Sequence, residues 1–302
     1  MRPWLFHTHL PGIGQVALSA WFSFLLLALA IGVVVAAQET RRAGDSPLQL
    51  LRAGMLGIVA GVAGGRLGHL FTSNRDSYLE DPLALLRFWE GGMVLYGGLI
   101  LGVGVGVLHL RRHDIPLLRS ADAAAPALML GIAVGRIGCL SAGCCYGRPI
   151  DWGTGIEWPW GIVFLQGVPP DVLRGIPLHP TQVYSSLAGL FLFVGLRWLR
   201  GRQSFDGQVF GVFLVSYAVM RSLVEFVRLD LERGFVLPDV FGEAISTSQA
   251  ISLPVMVLGV VLLVHGRRVA AQEGTLGLDA RSAGEARTRR RIEAALSKVA
   301  TS

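Results

Sequence analysis

Seven runs of about twenty mostly apolar residues occupy positions 16–37, 48–71, 92–110, 121–141, 179–199, 207–227 and 248–266. Each is long enough to cross a hydrocarbon layer as a helix. Because backbone polar groups in lipid must be satisfied internally, such a pattern leaves few folds open. The sequence predicts an all-α polytopic membrane protein of about seven transmembrane helices with a small periplasmic cap. Composition agrees: 52% of the 302 residues are hydrophobic and 16% are charged, against roughly 25% charge in a soluble domain. Mean hydropathy is +0.53. The 39 glycines suit helices that approach closely in lipid. The first run, from Val16 to Ala37, is too long for a cleavable signal core and is expected to remain as a span.

The net charge of +6 is distributed as membrane topology requires, so no nucleic-acid partner is expected. All the positive side chains except Lys298 are arginines. With the N-terminus outside, the inner loops hold Arg41, Arg42, Arg111, Arg112, Arg119, Arg197, Arg200 and Arg202. The C-terminal tail adds eight Lys/Arg, while the outer segments hold seven arginines. The positive-inside rule then predicts a multi-pass protein with its N-terminus outside and its C-terminus cytoplasmic. Residues 1–270 are expected to form the transmembrane domain. Residues 143–178, with Trp152, Trp158 and Trp160, would make an interfacial outer cap, and 271–302 a polar cytoplasmic tail. The 287–298 stretch of that tail reads either as a solvated chain or as a short basic helix against anionic lipid.

Four arginines lie inside the apolar runs. Arg52 is close enough to an end to snorkel. Arg66, Arg136 and Arg221 are not, and a buried arginine costs about 2.5–3.5 kcal/mol on insertion scales. At about 1.5 Å of rise per residue, all three fall in the outer half of the layer. Tyr96 and His179 open spans from the same side, and Glu225 stands four residues after Arg221, within ion-pair reach. A guanidinium is planar, permanently charged and able to donate two bonds at once, which suits a phosphate. These side chains are therefore candidates for holding a phospholipid headgroup. The alternative is that the arginines bond carbonyls and Glu225 and simply tie helices together. Gly65-Arg66-Leu67-Gly68 echoes Gly135-Arg136-Ile137-Gly138, a weak hint of an internal repeat.

Cys139, Cys144 and Cys145 are the chain's three cysteines. An odd, tightly clustered set is not a disulfide framework. Without a Cys-x2-Cys pair or a neighbouring histidine, it is not read as a metal site. Apolar packing at a helix end, thiol chemistry and a redox role stay open. No cofactor is expected.

Four blocks carry a resemblance to a known family. The first is Ala63-Gly64-Gly65-Arg66-Leu67-Gly68 with Asp81-Pro82, Arg87-Phe88-Trp89-Glu90-Gly91-Gly92-Met93 and Tyr96-Gly97-Gly98-Leu99. The second is Gly135-Arg136-Ile137-Gly138 with Gly147. The third is His179-Pro180-Thr181-Gln182-Val183-Tyr184. The fourth is Gly207, then Tyr217 to Arg221, Glu225-Phe226 and Arg228. In order and spacing they resemble the bacterial prolipoprotein diacylglyceryl transferases. The resemblance implies transfer of a diacylglyceryl group from phosphatidylglycerol to the lipobox cysteine thiol of a lipoprotein precursor, at the outer face of the cell inner membrane. The partners would be phosphatidylglycerol, other membrane lipid and the precursor's signal peptide. It also implies catalytic roles for Tyr96, Arg136, Arg221 and Glu225, and substrate binding by Arg66, Gly98, Cys139, Gly147, His179 and Tyr217.

Several positions depart from the family pattern. Histidine is expected where Tyr96 stands, asparagine at Cys139, an acidic residue at Cys144 and a first-span tyrosine at Trp21. A phenol is a poorer proton acceptor near neutrality than an imidazole. Two other readings therefore remain beside the transferase. One is a sister enzyme using cysteine chemistry toward another acceptor. The other is a non-catalytic lipid-binding membrane protein.

Overall fold

The computed structural model describes residues 4–10, 14–43, 46–72, 78, 81, 85, 94–150, 159–165, 169, 171–229, 235–237, 245–274, 282 and 285. Seven long helices are found among these residues: α1 (Ala20–Arg42), α2 (Leu48–Thr72), α3 (Leu95–Arg112), α4 (Leu117–Ala142), α5 (Thr181–Arg200), α6 (Gln208–Phe226) and α7 (Thr247–Gln272). Six of them are long and apolar enough to cross a membrane. The exception is α3, whose 18 residues include five glycines and end on His109, Arg111 and Arg112. The chain is an all-α polytopic membrane protein.

Some boundaries moved from the sequence reading. The first apolar run begins not as helix but as strand β2 (Gly14–Ser19), paired antiparallel with β1 (Trp4–Leu10). Helix α1 then continues past Ala37 to Arg42, where Glu39 forms ion pairs with Arg42 at 2.7 Å and Arg197 at 3.2 Å. The last helix also runs beyond its apolar stretch, to Gln272. The basic stretch 287–298, Trp152 and Trp158 lie outside the described residues.

The helices alternate in direction. At one end the contacts join α1 to α4 (Arg119 to the Ala43 carbonyl, 3.1 Å) and α2 to α3 (His109 with Gln49, 3.0 Å). Asp122 of α4 sits at the same end, fully buried. It accepts from the backbone N–H groups of Gly207 (2.6 Å) and Phe210 (2.8 Å), satisfying orphan donors at the start of α6. Arg200 lies 3.8 Å from the same carboxylate. Sequence reading missed Asp122 because its hydrogen-bond partners are more than eighty positions away.

Small residues set the helix spacing. Gly57, Gly61, Gly64 and Gly68 of α2 face Gly97, Gly98 and Gly102 of α3, and a methyl group added at Gly64 or Gly97 would collide with the other's carbonyl oxygen. Backbones this close gain dispersion contacts that larger residues would forbid. Gly211 and Gly259 make the corresponding seam between α6 and α7. An apolar core of Met129, Leu196, Val209, Phe213 and Met220 joins α4, α5 and α6. Polarity is inverted relative to a soluble protein. Glu39, Arg66, Asp122, Arg200, Gln203 and Glu225 are buried, while Phe71, Leu95 and Phe191 are 77–80% exposed. A buried charge needs partners and an exposed apolar face needs lipid, so the inversion fits a membrane solvent.

Candidate active site

Helix α4 ends at Gly143, whose φ of 73° closes the helix in the left-handed region. The chain then turns across the helix ends. Gly147 N–H donates to the His179 carbonyl (3.0 Å), Arg148 N–H to the Val227 carbonyl (2.8 Å) and His179 N–H to the Arg148 carbonyl (2.9 Å). Gly147 and Arg228 pair as an isolated bridge. A Cβ at Gly147 would meet His179 and the Val227 carbonyl at 2.6–2.7 Å. Gly147 is thus the point where three segments pass without room for a side chain. Tyr146, Phe164 and Leu178 form a small apolar core beneath β3 (Ile162–Val163) and β4 (Pro177–Leu178). These contacts tie the described part of 143–178 to the ends of α4, α5 and α6.

At this end the side chains of α4 and α6 converge. Arg221 Nη1 makes an ion pair with buried Glu225 Oε2 at 2.5 Å, and Nη2 donates to Ser248 Oγ at 2.5 Å. The carboxylate and the hydroxyl together fix the plane of the guanidinium. Arg136 and Arg228 both act electrostatically on Arg221. Arg136 is half-buried and, among the described residues, has no carboxylate or hydrogen-bond partner. Cations gathered in low dielectric suit an anion between them. Tyr217 stands one turn before Arg221 and stacks on Phe213 with centroids 5.9 Å apart.

A cavity of about 350 Å³ lies at the same end of the bundle, lined by Trp160, His179, Tyr184, Leu223, Val224 and Val227. Its walls come from the residues flanking Glu225 and Arg228. His179 Nδ1 lies 3.1 Å from the Tyr184 hydroxyl, which accepts from Trp160 Nε1 at 2.9 Å. This chain of contacts orients the imidazole, and burial lowers its pKa below the ordinary 6.5, keeping it neutral.

The three thiols also meet here: Cys139, Cys144 and Cys145 place their sulphurs within 4.8 Å of one another. Hydrogen bonding from Cys139 and Cys144, aided by Arg228 and Arg136, holds Cys145 far below the ordinary thiol range, while Cys144 is held far above it. The sequence reading set the three cysteines out as a cluster but not as a metal site; a helix end and a left-handed turn bring their sulphurs together.

The other expected residues sit apart. Arg66 is buried and donates to the Tyr78 hydroxyl (3.1 Å), and His69 Nδ1 lies 3.0 Å from the same oxygen. Gly98 packs against the Gly61 backbone in the α2–α3 seam. Tyr96 is 49% exposed at the start of α3 and makes no hydrogen bond or ring contact among the described residues. Sequence reading missed Tyr78 and Ser248, which carry no local signal. It quoted Arg228 only as part of a motif.

Comparison with known proteins bears on these residues as a set. A family model described as prolipoprotein diacylglyceryl transferase matches residues 10–265. The phosphatidylglycerol–prolipoprotein diacylglyceryl transferase of Vibrio cholerae serotype O1 is 34% identical over 259 residues, covering 83% of this chain and 88% of that protein. The enzyme of the same name from Nitrosospira multiformis is 36% identical over 223 residues, covering 73% of this chain and 72% of the relative. That from Methylococcus capsulatus is 33% identical over 275 residues, covering 86% and 98%. With a match running almost from the first strand to the last helix, this chain belongs to the prolipoprotein diacylglyceryl transferase family.

Proposed function

We propose that this chain is a transferase that moves a diacylglyceryl group from phosphatidylglycerol to the lipobox cysteine thiol of a prolipoprotein, at the outer face of the inner membrane. Family membership supports the reaction. The observation that carries the site is Arg136, a half-buried arginine without a carboxylate partner among the described residues, beside an Arg221 whose fork is fixed by Glu225 and Ser248. The thiol sulphur attacks the diacylglyceryl carbon bonded to the phosphate oxygen. That C–O bond breaks, its electron pair stays on the phosphate, and glycerol phosphate leaves. Arg136 and Arg221 face the developing charge, and preorganised donors of this kind are the largest single source of such rate enhancement.

The thiol proton needs an acceptor. His179 is held neutral beside the cavity and we assign it that role. Tyr96, at the family histidine's position, is assigned contact with the donor lipid from the bundle's exposed side. The apolar cavity wall formed by Leu223, Val224 and Val227 suits the acyl chains or the apolar part of the precursor. Arg66, bonded to Tyr78, whose hydroxyl also contacts His69, is assigned a second anchor for the headgroup.

Labelled phosphatidylglycerol and a lipobox peptide test the assignment with purified protein. Arg136→Lys is expected to keep part of the transfer, because lysine retains the charge but not the bidentate fork. Arg136→Ala is expected to lose roughly 10²–10³-fold. An alanine variant as active as the wild type would leave the arginines as helix ties.

A further inference from the structure

The cysteine group has a geometry that the transfer reaction does not use. Each cysteine offers one sulphur, and all three sulphurs lie within 4.8 Å of one another. A cation bonded to three sulphurs at about 2.3 Å in a plane needs sulphur–sulphur separations of about 4 Å.

The backbone beneath the sulphurs is already fixed. Cys144 N–H donates to the Cys139 carbonyl (3.1 Å). Gln182 Nε2 donates to the Cys144 carbonyl (2.6 Å), and Thr181 Oγ1 donates to the Cys145 carbonyl. Cys145 itself is held at φ 60°, a left-handed conformation that costs a non-glycine residue energy and is concentrated at ligand sites. Two carbonyls pinned from the first turn of α5 thus hold the Cys144–Cys145 backbone in place, with Cys145 in a conformation it would not adopt freely.

The donor set selects the ligand. Three thiolates without a histidine or carboxylate in the group favour a soft cation over calcium or magnesium, which require oxygen. With no fourth ligand among the described residues, three-coordination fits better than tetrahedral zinc. Charge also closes: three thiolates around a monovalent ion leave two negative charges, facing Arg136 and Arg228, both of which act electrostatically on Cys145.

We propose that Cys139, Cys144 and Cys145 form a three-thiolate site for one soft, low-coordinate cation of the copper(I) class. Binding displaces the thiol protons to solvent, and no electron is transferred. The site stands independently of the transfer reaction.

The test uses the full chain, reduced and purified in detergent, titrated anaerobically with copper(I) against a chromophoric copper(I) chelator. One copper per chain is expected, with three sulphurs at about 2.3 Å by X-ray absorption. Cys139→Ser, Cys144→Ser and Cys145→Ser should each weaken binding by roughly tenfold or more, that is by at least about 1.4 kcal/mol. Copper should also protect all three thiols of the wild type from alkylation, a readout that stands even where a serine variant fails to fold. A reduced, folded chain that takes up no copper, copper bound through two sulphurs or fewer, or unchanged affinity in the folded serine variants would overturn the proposal. None of these measurements depends on transfer activity.

Discussion

His179 carries the most exposed part of the chemical account. Burial places its folded-state pKa below 6.5, so the neutral, proton-accepting form persists through neutral pH and is lost only on acidification past that lowered value. The transfer rate should therefore be flat near neutrality and fall only below pH 6.5. His179→Gln should cost roughly 10²-fold or more and remove the acidic limb. A full pH profile of kcat/KM checks both. Activity surviving in His179→Gln but lost in Tyr96→Phe would move the role to Tyr96. At this scale the sequence was informative where a charge lay well inside an apolar run: Arg136, Arg221 and Glu225 stood out because lipid penalises them, whereas Asp122, at the very start of a run, passed unread. Tyr78 and Ser248 did not, since a hydroxyl becomes meaningful only once folding brings it to a guanidinium.

Among the elements, α2 and α3 were readable as helices from hydropathy, but their closeness depends on glycines whose partners lie across the seam. Gly97→Val should destabilise the protein by about 1–3 kcal/mol through overpacking, because a Cβ there meets the Gly64 backbone. Gly104→Ala, on the same helix with nothing within 4 Å, should be neutral or slightly stabilising. Thermal unfolding in detergent compares the two, and equal melting temperatures would contradict the seam. The β1–β2 pairing was not legible, because hydropathy runs smoothly from Val16 into α1. Nor was the bridge between Gly147 and Arg228, a pairing across eighty positions that nothing local announces.

For the whole molecule, helix alternation puts Glu39, Asp122, Arg119, Arg197 and Arg200 at one end and Arg136, Arg221, Glu225 and the cysteines at the other. Arginine bias toward the first end motivates our reading that it faces the cytoplasm. Reporter fusions after Arg42, Arg112, Arg202 and Arg268 should then read cytoplasmic, and those near Arg75, Trp158 and Arg233 external; a consistent reversal would move the site to the wrong leaflet. The central claim, that this scaffold modifies lipoprotein precursors with Tyr96 and Cys139 where the family resemblance implies histidine and asparagine, is tested most directly by replacement in a living cell. A bacterium depleted of its own diacylglyceryl transferase should regain growth when it expresses this chain. Mass spectrometry of one of its lipoproteins should show the lipobox cysteine carrying a diacylglyceryl group. Continued growth arrest with unmodified precursor, while the chain is present and folded in the membrane, would contradict the account.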